Sequence, residues 1–490
     1  MASGSITSLG IGTNGLDLES LLSKQVAAES QPLTDLQSNT QALQTKLSAY
    51  GQIQSSMSAL QTSLQALTNP GTWAATTASS SDNASVSVAV GDGATAGSTS
   101  ISVSQLATSQ TIASSAFGNA ASAVGTGSLT IQLGQWSGTG NSTFTPGSGS
   151  AVTINITAGN NSLTGIRDQI NSANAGVTAS IVTDSSGSRL VMRSTATGLS
   201  SGFQVTASDD DGNGTDATGL SALAYDPSSG VNSMTQKVAA GNALAVVNGL
   251  DIESESNTLT GVVDGLTITL NKPTTGASLT VAQDSDSIKK AVTNFVSAYN
   301  AMANLFVTDL KYVPNADGKS AGNAGPLQGD STVTGLQFMM RSIAGGSTSL
   351  GGAFTRLSDI GLDPQKDGTL KLDDSKLSSA VGNLSGLKSF FMGVDNGNAS
   401  NSGMAQQLQT FASTALSFDG QIATGTTGLQ TRIGQNSDRA TQLQAHLDLF
   451  SARLRDRYNA LDTQMSSLNS LASYVNQQMT ILNANASNNG

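Results

Sequence analysis

The chain has 490 residues, of which 22 are Lys or Arg, 33 are Asp or Glu, one is His and none is Cys. The absence of Cys excludes disulfides, thiol nucleophiles and zinc–cysteine sites, and a single His excludes a multi-histidine metal site. The net charge of −11 disfavours a nucleic-acid partner. A chain of this length supports two to four domains of about 100–200 residues each.

The chain shows no sign of a membrane-targeting segment. No stretch of about 18 apolar residues occurs, so we expect no transmembrane helix. The N-terminal sequence MASGSITSLGIG lacks a basic region and an apolar core, so we expect no cleavable signal peptide. The acidic residues concentrate in the segment 76–283, where 5 basic and 13 acidic residues give a net charge of −8.

The N-terminal part carries apolar residues at helical spacing. Pro32 suits the first turn of a helix, and Asn69-Pro70-Gly71 is a stop signal, so we predict one helix between them. The apolar stripe of this helix consists of Leu36, Leu43, Leu47, Tyr50, Ile53, Met57, Leu60, Leu64 and Leu67.

Between residues 76 and 283 the pattern changes to short alternating runs separated by Gly, Asn, Asp and Ser, which is typical of strands. One helix is predicted at Ser162–Ala173, and two more follow, at Ser287–Leu310 and from Asp330 onward. The predicted strands are Ser85–Val90, Thr99–Val103, Ser128–Leu133, Val152–Thr157, Gly176–Val182, Arg189–Arg193, Phe203–Thr206 and Leu266–Leu270.

The C-terminal part carries a second apolar stripe, with steps of three and four residues from Ala440 to Leu482. Neither Pro nor Gly interrupts Gln435–Ala484, so we predict one helix of nearly fifty residues. Burying eleven large apolar side chains contributes roughly 22 kcal/mol, which is less than the cost of ordering more than forty residues. We therefore expect this helix to require partners, either the other terminus or further subunits.

Four motifs have the residue types of a functional site but not its context. The sequence Gly10–Gly15 matches GxGxxG, yet no strand precedes it. Asp209–Gly214 matches half of a calcium loop, but Leu220 stands where the bidentate acid belongs. His446 lacks a carboxylate four residues away. The acidic residues Asp251, Glu253, Glu255, Asp373 and Asp374 have no second element to pair with, so we predict no catalytic, cofactor or metal site.

Short blocks of characteristic sequence follow one another along nearly the whole chain. They are Leu9–Asp17, Glu29–Leu33, Ser48–Gly51, Val246–Gly249, Val263–Leu270, Phe295–Asn300, Gly329–Thr332, Asp367–Asp373, Arg457–Asp462 and Met465–Ser470. In this order the blocks resemble the flagellar filament cap family, also called hook-associated protein 2. A middle module, from Gly127–Ile131 to Arg189–Met192, resembles one shared by flagellar axial proteins.

The resemblance implies an α+β multidomain fold. Both termini form a helical coiled-coil leg and stem, and a β-rich head of two subdomains is inserted between them. We expect the N-terminal leg and stem at 1–75, the head at 76–283, and the helical stem with the C-terminal leg at 284–490. Within the head, 76–125 with 238–283 forms one subdomain, and 126–237 is the inserted axial-protein module.

The resemblance also implies a function. Such a protein is secreted by flagellar type III export, with an export chaperone on its C-terminal helix. It forms a homo-oligomeric, pentamer-like ring at the filament tip that promotes ordered addition of flagellin beside other hook-associated proteins. The predicted subunit and filament contacts are Leu36, Leu43, Leu47, Met57, Leu64, Leu443, Leu447, Phe450, Leu454, Leu461, Met465, Leu468, Val475, Met479 and Leu482.

Other functions remain open from the sequence. A surface adhesin that uses the β-rich head is one alternative, because a Ser-, Thr- and Gly-rich β domain suits exposure. Another flagellar axial protein, either flagellin or a different hook-associated protein, is the second. A hydrolase with a carboxylate-only site is disfavoured, so we expect a non-enzymatic protein.

Overall fold

The computed structural model describes residues 18–314 and 324–487. The chain folds into two compact units. The helical unit contains the residues up to Trp73 and those from Ser285 onward, and the β-rich unit contains Ala74–Asp284.

The described parts contain helices and strands at the following bounds. The helices are α1 Leu18–Glu29, α2 Gln31–Thr68, α3 Pro70–Ala74, α4 Leu163–Ser172, α5 Ser285–Asp309, α6 Ser331–Ala344, α7 Asp374–Val381, α8 Leu384–Met392, α9 Met404–Leu416 and α10 Gln421–Ser487. The strands are β1 Thr76–Ser80, β2 Val86–Val90, β3 Gly97–Gln105, β4 Thr111–Ala113, β5 Gly127–Ser137, β6 Thr143–Pro146, β7 Val152–Ile156, β8 Val177–Asp184, β9 Gly187–Ser194, β10 Gly202–Asp209, β11 Thr235–Val238, β12 Ala243–Val247, β13 Leu250–Ser254, β14 Thr258–Thr260, β15 Leu266–Leu270, β16 Thr274–Gln283, β17 Leu362–Pro364 and β18 Leu370–Leu372.

The helical unit is built on α2 and α5, whose apolar stripes share one core with α6, α8 and α9. The predicted helix between Pro32 and Asn69 is confirmed, and the predicted stripe from Tyr50 to Leu67 is buried. The start of α6 at Asp330 is also confirmed: its carboxylate accepts hydrogen bonds from the backbone N–H groups of Thr332 and Val333. This side-chain cap satisfies two N–H groups that the helix leaves unpaired.

Helix α10 is longer than the prediction of 435–484, because it begins at Gln421 and passes through Gly425, Gly428 and Gly434. Glycine lowers helix stability, which is why the prediction began after Gly434. At Gly425 the structure supplies a reason for the residue. A Cβ there would lie 2.7 Å from a ring carbon of Tyr50, so only glycine lets the two helices approach this closely.

The elements between α6 and α10 are short, and the sequence prediction missed α7, α8 and α9. The strand pair β17–β18 is fixed to α5 by Asn300. Its side-chain amide donates to the carbonyl of Leu370 and accepts from the N–H of the same residue, at 2.8 and 2.7 Å. This paired contact gives Asn300 a structural role, because it fixes the edge of β18 against α5.

The β-rich unit has two hydrophobic cores and therefore two subdomains. We call the two subdomains outer and inner by their place in the sequence: the outer one is formed by the start and the end of the unit, and the inner one by its middle. The outer subdomain packs the five-stranded sheet β1-β16-β3-β12-β13 against the three-stranded sheet β14-β15-β2. All neighbouring strands within these two sheets are antiparallel. Strands β12 and β13 are joined by Asn248-Gly249, both with positive φ, which suits a tight hairpin turn.

The inner subdomain packs α4 against two four-stranded sheets. Each of the eight predicted strands of the β-rich unit overlaps an observed strand. The helix predicted at Ser162–Ala173 is observed as α4, and the side chain of Ser162 caps it. The predicted subdomain boundary after residue 125 lies too late. Strand β4 pairs with β9 and β11, and Ile112 belongs to the inner core, so the chain changes subdomain between Ala107 and Ile112.

Two buried features hold the inner subdomain together. Gln110 is fully buried, and its side-chain amide pairs with both backbone groups of Phe203. It donates to the carbonyl of Phe203 and accepts from the N–H of Phe203, both at 2.9 Å. Trp136 donates to the same carbonyl at 3.0 Å. Every polar atom of this cluster is thereby paired, as burial requires.

The β-rich unit begins and ends at one place. Strand β1 pairs along its whole length with β16, the last strand of the unit. The N–H of Asp284 donates to the carbonyl of Ala75 at 2.9 Å. The two chain ends of the insert therefore lie side by side.

Candidate assembly surface

Helix α10 runs antiparallel to α2 and then to α1. Gly425 faces Tyr50 of α2, His446 faces Glu29 at the end of α1, and Tyr458 faces Gln25 within α1. Successive contacts along α10 therefore meet residues of α2 and α1 with ever lower numbers, as antiparallel packing requires. A described partner therefore accompanies α10 at least to Tyr458, and α1 continues beyond Gln25 to Leu18.

The predicted contact residues fall into three groups by exposure. Leu43, Met57, Leu64 and Leu447 are buried, and the first three lie in the core of the helical unit. Their packing is within the chain, so the assignment of these four to contacts between subunits is corrected. Six others are half-buried: Leu36, Leu47, Leu443, Phe450, Leu454 and Met465.

The third group is exposed. We call Leu461, Leu468, Val475, Met479 and Leu482 the distal stripe; their side chains are between 45% and 63% exposed. They lie on one helix at spacings of three, four or seven residues, which is the repeat of a coiled-coil seam. Sequence reasoning missed three exposed apolar neighbours, which are Leu471, Tyr474 and Ile481.

The part of α10 after Asp462, which carries four of the five members of the distal stripe, has no charged side chain. Asp462 is the last charged residue of the sequence, and the remaining polar residues are Ser, Thr, Asn and Gln. Contact surfaces between proteins are depleted of charged residues at their centre and enriched in large apolar ones. This segment therefore has the composition of an interface.

A second exposed apolar surface lies between α6 and α9. Phe338 and Met339 project from α6 beside Val394, and they line a groove of about 840 Å³. Phe418, which follows α9, is also almost fully exposed. Sequence analysis did not indicate this surface, because Phe338 and Met339 lie off the buried face of α6, which includes Val333, Leu336 and Met340.

Tyr50 joins three helices at the place where α2 meets α10. Its hydroxyl donates to the Asp330 carboxylate at 3.0 Å, the group that also caps α6. Burial and this hydrogen bond raise the pKa of Tyr50 to about 12. Burial likewise raises the pKa of Tyr299 in α5 to about 12. The sequence showed Tyr50 only as a stripe member and did not indicate its polar contact.

The other motifs serve local structure in the parts that the model describes. The Asp209 carboxylate accepts from the N–H of Ser221, and those of Asp211 and Asp373 accept from nearby backbone N–H groups. Glu253 accepts from Asn242, while His446 lies 3.8 Å from Glu29. The block Gly10–Gly15 lies outside the described residues.

Within 18–314 and 324–487, no group of three or more His, Asp or Glu side chains is placed to hold a metal ion. None of the helices described is long and apolar enough to cross a membrane.

Three family models of flagellar proteins match successive parts of the chain. Residues 14–110 match the N-terminal model of flagellar hook-associated protein 2, and residues 240–470 match its C-terminal model. Residues 137–196, within the inner subdomain, match the flagellin hook IN motif.

Whole-chain relatives agree with these models. The chain is 34% identical to flagellar hook-associated protein 2 of Escherichia coli K12 over 485 residues, covering 97% of this chain and 98% of the relative. It is 32% identical to the B-type protein of Pseudomonas aeruginosa over 477 residues, covering 94% and 95%.

A solved structure extends the likeness to the fold. The crystal structure of the flagellar cap protein FliD D1-D2-D3 domains from Escherichia coli is 33% identical, with a TM-score of 0.56, and covers 78% of this chain and 99% of its own. The α+β architecture with helical termini and a β-rich insert is thereby confirmed. The chain belongs to the flagellar hook-associated protein 2 family, the proteins that cap the flagellar filament.

Proposed function

We propose that this chain caps the filament as a homo-oligomeric ring at its tip, and that the distal stripe of α10 supplies contacts to neighbouring subunits and to flagellin. The observation that carries the proposal is the exposure of the stripe at coiled-coil spacing beyond Tyr458. The chain acts outside the cell on this reading, after export.

The size of the apolar surface supports an interface. A large apolar side chain contributes about 2 kcal/mol when it is fully buried, so half-exposed members of the stripe have about 1 kcal/mol each still to gain. The five members together offer about 5 kcal/mol per chain. Since about 1.4 kcal/mol changes an equilibrium tenfold, burial of the stripe should shift the assembly equilibrium by about three orders of magnitude relative to a chain without it.

The same surface suits two kinds of partner. In a ring, each helix end meets the same segment of a neighbouring copy, and uncharged Ser, Asn and Gln around the stripe impose no like-charge repulsion. Flagellin, other hook-associated proteins and an export chaperone are further proposed partners, on the strength of the family resemblance. We also propose that the chain has no catalytic role, since its best candidate carboxylates are engaged in turns and caps.

A charge-insertion experiment tests the stripe. Leu468→Asp with Val475→Asp places two charges on the seam, one heptad apart, and we expect the variant to lose capping while its β-rich unit stays folded. The control is Ser470→Asp with Gln477→Asp, which adds the same charges at the same spacing on the opposite, exposed face. Swimming motility and electron microscopy of filament tips are measured in cells that lack their own cap gene.

Hydrogen exchange gives a second readout. In the free protein we expect amides of 462–484 to exchange faster than those of Leu43 to Leu67, because the core of the helical unit protects only the latter. Normal motility of the seam variant, or strong protection of 462–484 in the free monomer, contradicts the proposal.

A further inference from the structure

We infer that Asp309 makes the helical unit sensitive to pH: its buried carboxyl group keeps a proton in the folded chain at pH values where the unfolded chain has lost it, and loss of that proton loosens residues 325–330. We call residues 325–330 the return segment, because the chain there runs back along the end of α5. The inference goes beyond the capping function, since Asp309 belongs to none of the proposed filament contacts.

Asp309 occupies a core position of α5. The buried residues on one face of this helix follow one another in steps of four and three, and Asp309 is the last of them. They are Ile288, Val292, Phe295, Tyr299, Met302, Phe306 and Asp309. A residue at this spacing faces the core, and Asp309 is accordingly only 4% exposed. A carboxyl group therefore stands where the helix pattern provides for an apolar side chain.

The carboxyl group of Asp309 has no polar partner. Its Oδ2 atom is buried without a hydrogen bond, and it is the one buried side-chain N or O atom in the described part of the chain with that property. A charge taken out of water is normally paired, or else the group becomes neutral. Without a pair, burial favours the neutral, protonated form of Asp309.

The charged and titratable groups around α5 do not supply the missing partner. Helix α5 packs against α2, α6, α7 and β18. Among the described residues, no group on or beside these elements, on α5 itself or just after it forms an ion pair or hydrogen bond with Asp309. These groups are Asp35, Lys46, Tyr50, Asp286, Lys289, Lys290, Tyr299, Lys311, Tyr312, Asp330, Arg341, Lys371, Asp373, Asp374 and Lys376.

The position of Asp309 at the end of α5 acts in the same direction as its burial. The last carbonyl groups of a helix give its C-terminus a partial negative charge, which disfavours a carboxylate there. Burial itself raises the pKa of the Asp309 carboxyl group. Both effects stabilise the protonated form in the folded chain.

The return segment packs directly on the backbone of Asp309. The N–H of Leu327 donates to the carbonyl of Asp309 at 2.9 Å. A Cβ built on Gly325 would collide with the same carbonyl oxygen, so the two backbones approach as closely as glycine allows. The segment ends at Asp330, which caps α6 and accepts from the hydroxyl of Tyr50. Ionisation of Asp309 draws water to this contact and so acts on the place where α2 meets α6.

The direction of the pH effect follows from the two pKa values. An Asp carboxyl group in an unfolded chain has a pKa of about 3.9. Because the folded pKa is higher, the stability due to Asp309 is complete below about pH 4 and is lost as pH rises to the folded pKa. Within that range each pH unit lowers the folding equilibrium constant by about tenfold.

Other carboxylates of the helical unit have the opposite effect. Hydrogen bonds from Thr369 and Asn401 hold the pKa of Asp367 and of Asp395 below its usual range, so these two groups stabilise the fold more as pH rises. The contribution of Asp309 is therefore measured as a difference between the chain and a variant that lacks this carboxyl group.

A comparison of unfolding equilibria tests the inference. Asp309→Asn keeps the size of the side chain but cannot ionise. In a Trp136→Phe background, the fluorescence of Trp73 reports the helical unit, because Trp73 lies in its core. Urea unfolding of the purified full chain at pH 5, 6, 7 and 8 gives the ratio of the folding equilibrium constants of the variant and its parent. We expect this ratio to rise by about threefold or more from pH 5 to pH 8.

Two further variants complete the comparison. Asp419→Asn is the matched control, because it removes an exposed carboxylate of the same unit, and its ratio to the parent should stay constant. Asp309→Leu, which completes the apolar stripe of α5, should show the same rise as Asp309→Asn. A rise of less than about threefold in Asp309→Asn, or in Asp309→Leu where the asparagine variant does not fold, overturns the inference.

Hydrogen exchange of the unaltered chain locates the effect and needs no variant. The N–H groups of Leu327 and Asp330 report the return segment, since they donate to the carbonyls of Asp309 and Leu327. Those of Leu408 and Ala412 in α9 report the core. After correction for the intrinsic pH dependence of exchange, protection of the return segment should fall by about threefold or more from pH 5 to pH 8, and that of α9 by less. Unchanged protection of the return segment, or an equal loss in both places, overturns the inference.

The test is independent of the capping proposal. It uses the purified chain without filaments, so a negative result leaves the role of the distal stripe untouched. Conversely, normal motility of the stripe variant contradicts the capping proposal without bearing on Asp309, which lies in another part of the helical unit.

Discussion

Replacement of Gly425 by alanine probes the closest approach of α10 to α2. The new Cβ lies 2.7, 2.8 and 3.0 Å from the Cε1, Cζ and Oη atoms of Tyr50, which is well inside van der Waals contact. Tyr50 is fully packed and its hydroxyl is held by Asp330, so the ring has no free direction in which to move.

The expected magnitude follows from two opposed effects. Alanine stabilises a helix by about 0.5–1 kcal/mol relative to glycine, whereas overpacking a filled core costs about 1–3 kcal/mol. Gly428→Ala, one turn away on the same helix, experiences only the first effect because its Cβ meets open space. We therefore expect the free energies of unfolding of the two variants to differ by about 1–3 kcal/mol, with Gly425→Ala the less stable.

The assay needs a probe of the helical unit alone. Trp73 lies in its core and Trp136 in the inner subdomain, and they are the two tryptophans of the chain. In a Trp136→Phe background, urea unfolding followed by fluorescence therefore reports the helical unit. Tyr50→Leu should reduce the penalty of Gly425→Ala in a double-mutant cycle, since the clash is with the ring. Equal stability of Gly425→Ala and Gly428→Ala refutes the reasoning.

Two further predictions concern buried polar groups. The pKa of Tyr50 and of Tyr299 is raised to about 12, above the unfolded value of about 10, so the unfolded chain loses these protons first and stability should fall as pH rises from about 10 to 12. Urea unfolding across this range checks the slope, which Tyr50→Phe should make shallower; a slope that the variant leaves unchanged contradicts the assignment. Gln110→Ala should destabilise the inner subdomain by about 2–3 kcal/mol, because it removes the partner of the buried N–H of Phe203. Gln132→Ala, which removes one part-buried and one exposed hydrogen bond, should cost under about 1 kcal/mol; Trp136 fluorescence measures both variants.

Local patterns were sufficient to predict the long elements. Apolar residues at every third or fourth position predict helices α2 and α10, and the N-cap residue Asp330 predicts the start of α6. The strands that alternate cleanly, such as β15, were found in the same way. Periodicity succeeds where one face of an element is buried along its whole length.

The features that escaped prediction depend on contacts between distant residues. Strand β16 begins with Thr274, Thr275 and Gly276, and it is held between its neighbours β1 and β3, a pairing that its own sequence does not indicate. Helices α7 and α8 are about two turns long, too short for a period to appear. The subdomain boundary was drawn too late because the three residues of β4 carry no signal without β9 beside them.

The candidate surface was predicted in the same partial way. The stripe on α10 could be read from the sequence as far as its spacing, but spacing does not distinguish Leu447, which is buried, from Leu468, which is exposed. That difference depends on where α1 lies along α10. Likewise, His446 was judged against its neighbours in sequence, whereas its partner Glu29 is more than four hundred residues away.

Because Ala75 and Asp284 lie side by side, the β-rich unit can be replaced by another insert whose two ends are equally close. Because the chain enters and leaves that unit through paired strands, the backbone of the helical unit has a gap that a linker of a few residues can bridge between Ala74 and Ser285. Recombination at these two points exchanges one insert for another without altering the register of α2 against α5. The β-rich unit can therefore change in size and sequence while the helical unit remains constant.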